Sequence, residues 1–113
     1  MSDRLIVCVD LDGVLNLFDE WKGADHFHAP RPGALEFLKA LRDRDYQVVI
    51  FTVRWAPHVW DWLRQHGLDA YVDSVTDKKP PAHVYIDDRA ICFKGDFTET
   101  LTHLEAFKPH WQP

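Results

Sequence analysis

The stretch Val7-Cys8-Val9-Asp10-Leu11-Asp12-Gly13-Val14-Leu15 decides the fold. Its apolar, β-branched start reads as a buried strand. It runs directly into two carboxylates two positions apart and then a glycine. Alternate residues of an extended segment point the same way, so Asp10 and Asp12 are expected to face one spot at the strand's end. Gly13 lets the backbone turn sharply and approach a ligand closely. Two such acids at ~4 Å and an effective dielectric of ~20 repel by about 4 kcal/mol. A pair of this kind calls for a cation or a shared proton. The plain alternative is two solvated carboxylates at a strand-to-loop junction.

Working outward, 113 residues make one domain with room for a real core. No apolar run is long enough to span a membrane. Residues 1–4 lead straight into the strand with no signal-peptide pattern, which sets the expectation of a cytoplasmic protein. Cys8 and Cys92 both sit in apolar runs and read as buried, reduced thiols. A net charge of −5 gives no broad pull toward nucleic acid or anionic membrane.

Strands are expected at 5–9, 46–51, 70–75, 83–86 and, shortest, 90–93; helices at 32–44, 57–66 and 98–107. The segment 16–32 mixes aromatics, histidines and prolines and reads as a folded-back flap. Strands alternating with helices over short connections imply an α/β fold: a parallel sheet of about five strands with helices on both faces. In such sheets the site lies beyond the carboxyl ends of the strands. Asp10, Asp12, Thr52, Asp87 and Asp88 all fall at or just past carboxyl ends, and Lys78 or Lys79 must reach them from a loop.

Asp10-Leu11-Asp12-Gly13-Val14, Thr52 after Val-Val-Ile-Phe, Lys79-Pro80, and Tyr85-Ile86-Asp87-Asp88 occur in that order. Together they resemble the four motifs of the haloacid dehalogenase-like (HAD) hydrolase superfamily, over about residues 5–89. The resemblance implies a three-layer, Rossmann-like fold and phosphatase chemistry. Asp10 would be the nucleophile that takes the phosphoryl group. Asp12 would protonate the leaving oxygen and then activate water. Thr52 would hold a phosphoryl oxygen, and Lys79, chosen because the family's lysine precedes proline, would neutralise charge. Asp10, Asp87, Asp88 and the backbone of Asp12 would bind Mg²⁺. Gly13, Arg54 and Arg89 are the expected substrate contacts. The dehalogenases lack the second acid, so dehalogenation is set aside.

Neither 16–32 nor 52–78 has room for an inserted cap, so residues 1–113 read as a single capless HAD-like domain. Capless relatives act on exposed phosphates or borrow a neighbouring subunit as cap. The expected substrate is therefore a phosphorylated small molecule or nucleic-acid end. Trp55 is a candidate stacking surface for a base. His26, His28 and Arg31 are candidate phosphate contacts, with ordinary loop chemistry as the plainer reading. Of Trp60 and Trp62, one should stay partly exposed, a candidate contact in a homo-oligomer. His26-Phe27-His28 also raises a zinc alternative. Two other functional classes stay open: a receiver-like signalling domain and a non-catalytic phosphate-binding scaffold. The lysine preceding the last acid pair argues against a receiver.

Overall fold

In the computed structural model, which describes residues 4–113, the Val-Cys-Val run is an inner strand. The first three residues, part of the lead-in read above, lie outside the described residues. Four parallel strands, β1 (Ile6–Asp10), β2 (Gln47–Phe51), β3 (Ser74–Thr76) and β4 (Val84–Ile86), lie in the order β3-β2-β1-β4. Val7 stands beside Val48 on one side and Val84 on the other, and Asp10 beside Phe51. The α/β class is as expected, with four strands in place of about five.

The helices α1 (Ala34–Asp43) and α2 (Ala56–Gln65) form the two crossovers from β1 to β2 and from β2 to β3. Glu36 lies in the first turn of α1 and Arg42 in its last, each matched to the helix dipole. Pro57 occupies the first turn of α2, where its missing N–H costs nothing. Val7, Val9, Val48 and Ile50 share one face of the sheet by alternation. They form the core with Leu38 and Leu41 of α1 and Val59, Trp62 and Leu63 of α2. Trp60 is only partly buried against this core, so the two tryptophans divide as their spacing requires.

Helices were expected on both faces; α1 and α2 both pack with Val7, Val9, Val48 and Ile50. Residues 77–83 alone carry the chain from β3, at one edge, to β4, at the other. That span is about 14 Å at the usual strand spacing. A helix gains only about 1.5 Å per residue, so this connection must run extended, and Pro80-Pro81 suits that. The helix α3 (Phe97–Ala106) is capped by Asp96, whose side chain accepts from the N–H groups of Thr98 and Glu99. It buries none of its residues: Phe97 is 79 % exposed, and Leu101 and Leu104 are exposed as well. Residues 90–93 form no strand, and Cys92 is exposed instead of buried. Four apolar residues were too few to draw a further strand onto β4. The strand placed at 70–75 is shifted: a short 3₁₀ turn, Asp69–Tyr71, precedes β3. Among the described residues no helix is long and apolar enough to cross a membrane.

The flap does fold back. Leu17 N–H donates to Ala29 O at 2.9 Å, and Arg31 N–H to Leu15 O at 2.8 Å. The indole N–H of Trp62 donates to His28 O and ties the flap to α2.

Candidate active site

Asp10 ends β1, where the next strand in the chain lies to one side and the last to the other. Ligands of open α/β sheets bind at such a switch point, beyond the carboxyl ends of the strands. Asp87 and Asp88 directly follow β4, the neighbour of β1. One carboxylate oxygen from each of Asp10, Asp87 and Asp88 lies within 4.8 Å of the others. Asp10 Oδ1 accepts from Leu11 N–H at 2.9 Å. Burial first, then a hydrogen bond with Asp88 and the charges of Asp87 and Asp88, push the Asp10 carboxyl from 3.8 up to about 8, against the lowering effect of Leu11 N–H. With the acids ionised, Asp88 Oδ1 is buried with no hydrogen-bond partner. A set of hard oxygen donors, mutually repelling and holding an orphaned buried oxygen, fits a divalent cation of the Mg²⁺, Mn²⁺ or Ca²⁺ kind.

Asp12 lies apart from this group. The Leu11–Leu15 segment is an irregular turn in which Asp12 has φ −72° and ψ 120° and Gly13 has φ 89°. The Asp12 carboxylate accepts from Arg54 Nε at 2.8 Å, Arg54 Nη2 at 3.1 Å and Asn16 Nδ2 at 3.0 Å. Its side chain is therefore no member of the acid cluster, and the expectation of Asp12 as a ligand concerns its backbone carbonyl alone. Thr52 is buried, its N–H bonded to Thr76 O and its Oγ1 accepting from Arg54 N–H. A cleft of about 280 Å³ is lined by Asp10, Asp12, Thr52 and Arg89 with Phe18, Trp21, Phe51 and Val53.

Two expected substrate contacts are spent internally. The Arg54 side chain is 0 % exposed. Beyond Asp12 it donates to Ala24 O at 2.8 Å, and its guanidinium lies 4.3 Å from the Phe27 ring centre and 4.8 Å from that of Trp21. It joins the flap to the site, and four of its five N–H donors are spent inside the protein. Gly13 donates its N–H to Asn16 Oδ1, and its carbonyl accepts from Arg31 Nη2 and His110 Nε2. Its place is steric: a Cβ there would overlap Asp88 Oδ2 and lie 3.0 Å from Trp111 Nε1. Arg31, likewise, bonds the backbone carbonyls of Gly13, Val14 and Asn16. Arg89, in contrast, does reach the cleft.

Lys79 is not drawn in among the acids. Its ammonium lies 4.5 Å from the Tyr85 ring centre, and among the described residues it forms no ion pair. The short 77–83 connection crosses the sheet there, with Tyr85 Oη donating to Pro80 O. The Lys79 charge is still felt at Cys8, two residues before Asp10, where it lowers a thiol that burial mainly raises. Lys78 only closes a turn with Thr76.

Trp55 is 66 % exposed and stacks edge-on against His58, away from the acid cleft; Trp21 takes the place at the cleft wall. A second cavity, of about 580 Å³, holds none of the acid cluster. It is lined by His26, His28, His58 and His66, so the fold does bring further histidines to the His26/His28 pair. Among the described residues these do not converge to metal-ligating distance. Sequence reasoning missed Asn16, whose spacing from Asp12 and Gly13 was a local signal, and Trp111, for which the sequence held none. Trp111 donates its indole N–H to Asp88 Oδ2 and packs edge-on to Phe18 at 5.0 Å.

No protein-family model and no curated protein matches the chain. Among solved structures it is similar to a conserved protein coded by a locus of Bacteroides thetaiotaomicron, with a TM-score of 0.61 and 21 % identity over 94 % of this chain and 93 % of that one. At that identity the likeness speaks for the fold alone.

Proposed function

We propose that the chain is a metal-dependent phosphomonoester hydrolase of the HAD type, acting through an aspartyl-phosphate on Asp10. The supporting observation is the meeting of Asp10 with Asp87 and Asp88, at the mouth of a cleft that also holds Asp12 and Thr52. A carboxylate oxygen of Asp10 attacks phosphorus, the ester P–O bond breaks, and the leaving oxygen takes a proton from Asp12. Water then attacks the acyl phosphate, Asp12 takes its proton, and inorganic phosphate leaves. As found, Asp12 accepts three N–H bonds, which suits the base of the second step. Its role as acid in the first step requires one of those donors to give way. Thr52 and Arg89 bind phosphoryl oxygens, and Lys79 swings in on its flexible stem. Mg²⁺, held by Asp10, Asp87 and Asp88, supplies charge neutralisation that lets the acid cluster and phosphate share one site.

The substrate on this view is a small phosphorylated molecule or a nucleic-acid end, entering a cleft of about 280 Å³ walled in part by Phe18 and Trp21 of the flap. Free thiols at Cys8 and at the exposed Cys92 agree with a reducing, cytoplasmic setting. Self-association is part of the same proposal, and sedimentation of the purified chain measures it. The chemistry is tested by phosphate release from an aryl phosphate with Mg²⁺ and with a chelator. Turnover should need the metal and vanish in Asp10→Asn. Turnover that persists in that variant would overturn the mechanism.

A further inference from the structure

We infer that Trp111 is a positioning residue for the metal-binding carboxylate Asp88. This rests on the phosphatase reading, in which Asp88 is a ligand. The two oxygens of Asp88 are treated differently. Oδ2 accepts the indole N–H of Trp111, while Oδ1 is buried without a partner beside the other acids. An indole N–H donates and carries no charge. It therefore cannot neutralise the cluster; it fixes the carboxylate's rotation and leaves Oδ1 turned over for a cation. Partners of this kind, one bond removed from a metal, orient its ligands.

Trp111 is itself held from three directions. His110 donates to Gly13 O at 2.7 Å, Phe18 meets the indole edge-on at an interplanar angle of 87°, and the Arg89 guanidinium lies 5.0 Å from the ring centre. Gln112 N–H donates to Pro109 O, closing a turn around the pair, and Pro109 is buried. Residues 108–113 thus clamp the turn that follows Asp10 and the acid pair that follows β4. Gly13 makes room for this: any side chain there would collide with Asp88 and crowd Trp111.

The test is calorimetric titration of the full chain with Mg²⁺, comparing wild type, Asp87→Asn, Trp111→Phe and His110→Ala. Trp111→Phe keeps the ring and loses only the N–H. Its Mg²⁺ affinity should fall about 10-fold or more, and its phosphatase rate should recover at high Mg²⁺. A residue that merely supports the fold would lower the melting temperature and leave the Mg²⁺ dependence unmoved. Wild-type affinity in Trp111→Phe would overturn the inference. Absence of Mg²⁺ binding in wild type itself would instead overturn the phosphatase reading and this with it. Should Trp111→Phe not fold, indole N–H resonances of the wild type decide. Of the five tryptophans, one should shift over the same Mg²⁺ range that calorimetry reports. No shift in any of them would sink the assignment.

Discussion

Arg54 holds Asp12 with two donors of one guanidinium, Nε to Oδ2 at 2.8 Å and Nη2 to Oδ1 at 3.1 Å. The same guanidinium is packed between Phe27 and Trp21 of the flap. One buried cation therefore orients Asp12 and fastens the loop that walls the cleft. Arg54→Met should destabilise the protein by about 3 kcal/mol, because it strands a largely buried carboxylate. Arg54→Lys should rescue little, since a point charge cannot replace the fork. Adding Asp12→Asn to Arg54→Met should recover part of the loss. Urea denaturation of the four proteins reads this directly.

The raised Asp10 carboxyl gives stability a definite pH dependence. Its folded value, about 8, lies above the unfolded 3.8, so the fold prefers the protonated acid. That contribution is complete below the unfolded value and is lost as pH climbs through the folded one. Metal-free protein should lose melting temperature between about pH 4 and pH 8. Mg²⁺ should restore it at the alkaline end, because binding needs the deprotonated acid. Asp10→Asn should flatten the metal-free profile. A metal-free melting temperature that is level or rising over this window would contradict the assignment.

Gly13→Ala tests the steric side of the site. The left-handed φ of 89° costs an alanine on the order of 1–2 kcal/mol, and the added methyl meets Asp88 Cγ at 2.8 Å. Stability should fall by at least that amount and Mg²⁺ affinity should fall with it, as Asp88 is pushed aside. Thermal melts with and without Mg²⁺ separate the two effects.

Lys79 carries a sharper question. Its side chain is exposed and, among the described residues, pairs with no acid, so Lys79→Met should leave the melting temperature within a degree or two. If it swings to the phosphate, kcat should drop on the order of 10²-fold. Steady-state kinetics on an aryl phosphate give the answer, and Lys78→Met provides the comparison that should change little.

Much of the fold was legible because its signals are local. The apolar, β-branched run through Val7 and Val9 marked β1, the leucine spacing marked α1, and Pro57 marked the start of α2. Acids directly after the strand-like runs 5–9 and 83–86 announced the cluster, although β4 itself is largely exposed. What escaped was non-local. Arg54 looked like a free cation because its partners lie in the flap and in the turn after β1. Trp111 stands in an aperiodic segment, so nothing but the folded chain brings it to Asp88. The strand expected at 90–93 failed for the opposite reason: its local apolar character was real, but no partner strand or core surface took it up.

The brevity of the 77–83 connection also bears on how the protein reaches its native state. β1, α1, β2, α2 and β3 follow one another along the chain, whereas β4 pairs with β1 across a larger sequence separation than any other strand pair of the sheet. Closing that long loop carries the greater entropic cost and comes after local pairing on the usual ordering. The mutual repulsion of Asp10, Asp87 and Asp88 consequently enters only with the last strand. The earlier elements can assemble free of it, and a divalent cation would act as a late fastener, catching β4 once the rest of the sheet has formed.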